Sequence, residues 1–210
     1  MAAPSELSLV TATLLHGRGG KHEAARFYAD RTGLPRPADE HDEDEIMAGL
    51  LRWCLERGRK SDAARLLWTA SQFTPEPESV SRIWRATEDE MFVLLMGASS
   101  MGKTYTVGVS FFLEWLRDPR YTVVRAIGPS EEHLKANLFT HLVEMHRTSA
   151  IPLPGITQDL FIGLDPKNKR GGILGTVLPQ GKKSAGRLQG AKRVPRPEAH
   201  PVFGEMSRLF

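Results

Sequence analysis

Eight consecutive residues, Gly97, Ala98, Ser99, Ser100, Met101, Gly102, Lys103 and Thr104, carry the most specific chemical pattern in the chain. They place Gly first and sixth, Lys seventh and Ser or Thr eighth, the spacing of a phosphate-binding P-loop. Each residue type has a physical reason to be there. The glycines let a loop fold back with its N–H groups pointing inward, Lys103 brings a cation to the outer phosphates of a nucleoside triphosphate, and the Thr104 hydroxyl suits a magnesium ion. A helix beginning near Lys103 adds its positive end to the same place. The expected ligands are ATP and Mg2+: Gly97 through Thr104 bind the nucleotide, Thr104 ligates the metal, and Lys103 is the candidate catalytic residue.

Such a loop needs a buried strand before it and a helix after it. Residues 91–96 are a continuous apolar run of strand length, 104–117 read as an apolar helix ended by Asp118-Pro119, and 121–127 as a second buried strand. Strand, helix, strand predicts an α/β core with a parallel sheet. Further on, 131–147 suit a helix with Ser130 as its N-cap, and 157–164 and 172–178 read as strands around a turn at 165–171. Beyond Pro179 the Gly, Lys and Pro content predicts loop.

Hydrolysis asks for more than the loop. It needs a strand-terminal Asp to steady magnesium and a group that orients water. Glu131 and Glu132 follow Pro129-Ser130 and read as first-turn acids facing a helix dipole. Asp165 precedes Pro166 inside the expected hairpin. None of the three supplies the missing group, so residues 1–210 alone are expected to bind ATP with little turnover.

Residues 1–85 read as a helical N-terminal domain, with helices expected over 5–15, 22–31, 43–57 and 61–73. One more, 78–85, leads into a polar turn at 87–90 before the P-loop ATPase core of 86–210. Residues 20–26 and 59–65 share one pattern, a basic residue, a spacer, an acid, Ala, Ala and Arg, read as two helices with similar starts rather than a solenoid. Trp53, Trp68, Trp84 and Trp115 fall at core positions. Trp84 or Arg85, shortly before the first core strand, is a candidate contact for adenine. His133, His141 and His146 share a helix at spacings that do not bring three ligands to one face.

The 210 residues are 40% hydrophobic with a net charge of +3, ordinary for a chain that buries a core. There is no run of eighteen apolar residues and no secretory signal pattern, which predicts a soluble protein inside a cell, without a membrane partner. The single cysteine, Cys54, excludes a disulfide framework and a cysteine zinc site. Charge is segregated. Residues 39–45 are almost wholly acidic, whereas Lys167, Lys169, Arg170, Lys182, Lys183, Arg187, Lys192, Arg193 and Arg196 form a stretch without any acid. That tail is suited to the phosphates of DNA, with Lys182, Lys183, Arg187, Lys192 and Arg193 as contact candidates. No aromatic alternates with these charges, which argues against stacking on a single strand.

Three segments in order, GASSMGKT at 97–104, VVRAIGPSEEHLKANLF at 123–139 and SAGRLQG at 184–190, resemble the ATPase half of a tailed-phage terminase large subunit, the motor that packages DNA into a procapsid. The resemblance spans about 86–210, and only the loop is specific by itself. It implies double-stranded DNA as the substrate that is moved, ATP hydrolysis coupled to translocation, and the cytoplasm of an infected bacterial host. A portal, a small terminase subunit and a homo-oligomeric ring are the partners it brings with it. The family's acidic Walker B strand would begin where Ser207-Arg208-Leu209-Phe210 stands, so the chain is expected to be an N-terminal piece without the acidic pair, the coupling motif or the nuclease domain. The loop also lacks the internal arginine of some family members. Two alternatives stay open: a helicase-like or other DNA-dependent P-loop ATPase, and a non-catalytic nucleotide-binding assembly fragment.

Overall fold

The computed structural model describes residues 20–68, 72–73, 78–89, 102–167 and 169–177. The expected helix 5–15, the expected strand 91–96, the loop residues Gly97, Ala98, Ser99, Ser100 and Met101, and the basic residues Lys182, Lys183, Arg187, Lys192 and Arg193 lie outside them.

Four helices open the described chain: α1 (Lys21–Thr32), α2 (Glu40–Glu56), α3 (Lys60–Leu67) and α4 (Glu78–Asp89). The acidic tract is the start of α2. Asp39 accepts the Asp42 N–H at 2.9 Å as its N-cap, and Glu40, Asp42 and Glu43 occupy the first turn, where the helix dipole favours negative charge. That cap starts the helix three residues before the expected 43. The same acids hold α1, because Asp44 pairs with Lys21 and Glu43 with His22. The two similar starts share one packing device, in which Ala24-Ala25 of α1 and Ala63-Ala64 of α3 are fully buried and let both helices lie close against α2.

Two expected boundaries move. The helix expected over 61–73 ends at Leu67, because Trp68 turns to an extended conformation (φ −133°, ψ 136°) and its ring enters the core beside Phe112, at 5.8 Å between centroids. The helix expected over 78–85 continues to Asp89, where residues 87–89 were expected to belong to a turn. Trp68, Trp84 and Trp115 are buried as expected of core residues. Trp53 is not. It lies at the rim, half-buried, under the guanidinium groups of Arg57 at 4.5 Å and Arg59 at 5.5 Å.

Helix α5 (Lys103–Arg117) is the centre of the molecule. It is apolar around much of its circumference, which suits a helix packed on both sides: α2, α3 and α4 on one, the sheet on the other. Residues 118–122 turn the chain into β1 (Val123–Gly128), and a long helix follows. This helix has three parts, α6 (Glu131–Leu134), a π turn (Lys135–Phe139) and α7 (Thr140–Arg147). Uniform α-helix was expected over 131–147. Burial of both Leu134 and Phe139, five positions apart, takes an inserted residue, and the π turn supplies it.

The strands β2 (Ile156–Gln158), β3 (Phe161–Asp165) and β4 (Arg170–Val177) complete a four-stranded sheet in the order β1-β4-β3-β2. It is mixed, where a parallel sheet was expected. β1 and β4 are parallel, but β3 pairs antiparallel with both β4 and β2. Connections this short permit only antiparallel neighbours, whereas the long helix between β1 and β4 permits a parallel pair. The single strand expected over 157–164 is two strands, broken by a tight turn at Asp159, whose φ is 43°. One continuous core runs from Ala24 in α1 to Ile173 in β4. The fold is therefore a mixed helix and sheet architecture organised around α5.

Candidate functional site

Helix α5 begins in the conformation that the sixth position of the loop pattern requires. Gly102 has φ 69° and ψ 11°, in the left-handed region, and serves as the N-cap. An added Cβ would meet nothing within 4 Å among the described residues, and the left-handed backbone is itself a reason for glycine. The Gly102 carbonyl accepts both the Thr106 N–H at 2.9 Å and the Thr106 hydroxyl at 3.0 Å, which ties the loop end to the first turn. Among the described residues no side chain caps this helix. Helix N-termini carry backbone N–H groups that an anion can accept from. Lys103 is half-buried as the first helical residue, and Thr104 beside it is exposed.

The start of α5 is held from two directions. Tyr105 stacks on Phe73 at 6.2 Å and meets His141 edge-on at 6.4 Å, while Phe73 packs on Trp84 at 5.8 Å. Burial, with the Glu144 carboxylate as a smaller cause, raises the Tyr105 phenol above its usual pKa. One turn on, Gly108 lets α7 approach: a Cβ there would lie 3.1 Å from Leu142 and 3.3 Å from Met145. Neither the aromatic tier nor the π turn was read from the sequence. The five-residue step from Leu134 to Phe139 was the available signal for the second.

Topology decides what shares an end with Lys103. α5 and β1 are joined by a short turn and run in opposite directions, and α5's length of about 22 Å matches roughly 20 Å for β1. The start of α5 therefore lies toward the end of the sheet where β1 and β4 finish and where α6 begins. Ser130 caps α6 as expected, accepting the His133 N–H at 3.1 Å. Glu131 pairs with Lys135 at 2.6 Å. Glu132 has its pKa lowered by a hydrogen bond from its own N–H and a second from the Ser130 hydroxyl. Both acids are thus occupied in starting the helix. Asp165 lies at the other end. It is paired in register with Arg170, the first residue of β4, and accepts the Lys167 N–H at 3.1 Å within the hairpin turn.

The remaining candidates are spread apart. Trp84 is buried, and Arg85 is exposed at a cleft of about 360 Å³ between the α2–α3 turn and α4, also lined by Arg59, Lys60, Asp62 and Ser81. Lys60 of this cleft bonds Glu114 at 3.0 Å, which lies about 17 Å along α5 from Lys103 at 1.5 Å per residue. Only that edge of the cleft is removed from the loop end, because Trp84 on its other edge reaches Tyr105 through Phe73. His146 contacts the Pro154 carbonyl at 3.2 Å, and His141 faces Tyr105. Among the described residues no group of three or more His, Cys, Asp or Glu could hold a metal ion. No helix among them is long and apolar enough to cross a membrane.

Compared with known protein families, curated proteins and solved structures, the chain matches none.

Proposed function

We propose that the chain binds ATP with magnesium at Gly97 through Thr104, as the nucleotide-binding part of a terminase-like, DNA-translocating ATPase. One observation carries the nucleotide half: Gly102 stands left-handed as the N-cap of a helix whose first residues are Lys103 and exposed Thr104. A left-handed glycine at this point turns successive N–H groups toward one concavity, and a polyphosphate is the ligand that concavity and the helix dipole favour. Lys103 then contacts the outer phosphates and Thr104 the magnesium ion, which would neutralise phosphate charge. The shared end of α5, β1 and β4 supports this placement, because ligands of α/β sheets bind outside the carboxyl ends of the strands.

The DNA half rests on the order of the three resembling segments and on the basic tail. Double-stranded DNA is the polyanion, and a ring of copies with a portal and a small subunit is the assembly this reading implies.

Titration calorimetry with Mg-ATP tests the site. Lys103→Ala should weaken binding at least tenfold, since a charge-assisted contact to phosphate is worth roughly 1.5 to 3 kcal/mol. Equal affinity in the two proteins would remove the assignment. Phosphate release by residues 1–210, with and without DNA, tests the expectation of little turnover. A rate of about 1 per second or more would place the missing acid within this chain.

A further inference from the structure

Tyr105 follows Lys103 and Thr104 directly, and its ring is gripped by two elements from distant parts of the chain. Phe73, in the connection between α3 and α4, stacks on it at 6.2 Å with the planes 20° apart, and His141, the second residue of α7, meets it edge-on at 6.4 Å. Phe73 is itself seated on Trp84 of α4 at 5.8 Å. Phe73 and Trp84 are only 7% and 4% exposed, so the grip is anchored in the core. The backbone of the first turn is closed by the Gly102 carbonyl, which takes both Thr106 donors. Those bonds fix the shape of the turn but not the angle at which the helix is rolled about its axis, which contacts with other elements must set. Successive residues project about 100° apart, so Tyr105 points roughly 200° round from Lys103 and roughly 100° from Thr104. A ring held on one side of α5 therefore fixes where those two side chains emerge on the others. Side chains reach about 5 Å from a helix axis, so a roll of about 10° carries them about 1 Å. Where contacts are directed, a misplacement of about 1 Å can cost up to about 10²-fold.

We propose that Phe73, Tyr105 and His141 are positioning residues for the phosphate site: their ring contacts set the roll of the first turn of α5, and with it the places of Lys103 and Thr104 around a polyphosphate. The proposal rests on the nucleotide reading above. It adds that the helical part of the chain, through Trp84 and Phe73, governs phosphate affinity. All three residues act through α5 rather than on the ligand.

Titration calorimetry on the full chain, with Mg-ATP and with magnesium tripolyphosphate, which has neither base nor sugar, tests this. Phe73→Leu and Tyr105→Leu keep an apolar side chain without a ring, and each should weaken both ligands at least fivefold. Tyr105→Phe keeps the ring and should bind within twofold of the unaltered chain. His141→Ala changes an exposed side chain, leaves the core intact and should weaken both ligands at least threefold. Ile162→Val, a core change in β3, should lower the urea midpoint with affinity held within twofold. Unchanged affinity in any one of the three ring-removing variants, with Lys103→Ala still weakened, would overturn the proposal and leave the nucleotide reading standing. A loss in Ile162→Val as large as in Phe73→Leu would reduce the effect to stability and overturn it as well. So would a loss for Mg-ATP with tripolyphosphate unchanged, which would make the rings a contact for the base. Equal binding by the unaltered chain and Lys103→Ala would remove both readings.

Discussion

Trp68 Nε1 donates to the Met145 carbonyl at 3.0 Å, joining the end of α3 to the last turn of α7 across 77 positions of sequence. The exchange is mutual. The Leu67 carbonyl accepts the Ala150 N–H at 2.8 Å and the Ser149 hydroxyl at 3.2 Å, and Gln72 donates to the Thr148 carbonyl at 3.2 Å. Two helix C-termini, each with carbonyls that its own helix cannot satisfy, thereby satisfy one another. Trp68→Phe keeps an aromatic ring but leaves a buried acceptor without this donor. It should cost about 1 to 3 kcal/mol, read as a lower urea midpoint at an unchanged slope.

Gly102 and Gly108 separate conformation from packing within one helix. Gly102→Ala places a methyl that meets none of the described residues but forces an L-residue into left-handed backbone, a cost of roughly 1 to 2 kcal/mol. Mg-ATP affinity should fall with it, because the loop's N–H groups are re-aimed. Gly108→Ala presses on Leu142 and Met145, one turn from the loop, and should change stability with affinity held within about twofold. Calorimetry and urea unfolding on both variants check the contrast.

His146 gives stability a pH dependence of known sign. Burial, opposed by its contact with the Pro154 carbonyl, holds the imidazole below its ordinary value of 6.5. As pH falls through about 6.5 the unfolded chain takes up the proton first, so stability is full above that value. It then declines until the folded imidazole also protonates. Unfolding midpoints should drop between pH 7.5 and 5.5, and His146→Gln should flatten that drop.

Binding of duplex DNA should be insensitive to sequence and steeply reduced by salt. Each phosphate neutralised by the basic tail adds about −0.9 to the slope of log affinity against log salt. Changing Lys182, Lys183, Lys192 and Arg193 to Glu should abolish binding in an anisotropy titration. Unchanged binding would move the DNA surface to another part of the chain.

What the sequence determined by itself is local. The limits of α5 were legible to within one residue, because Gly102 before it and Asp118-Pro119 after it act on their own backbone. Ser130 as the cap of α6 and the existence of β1 were legible for the same reason, each depending on neighbours a few positions away; but β1, expected buried over 121–127, runs 123–128 with Val123, Arg125 and Ile127 exposed. The four fixed positions of the loop pattern, Gly97, Gly102, Lys103 and Thr104, can be read as a motif because they are consecutive or nearly so, and the last three of them lie among the described residues. The tertiary structure decided everything that depends on distant partners. Trp68 leaves its helix because Phe112 and the Met145 carbonyl offer its ring and its N–H more than another helical turn would. The π turn exists because Leu134 and Phe139 must both reach the core. Asp165 and Glu131 stand at opposite ends of the sheet because a short hairpin reverses the chain between β3 and β4.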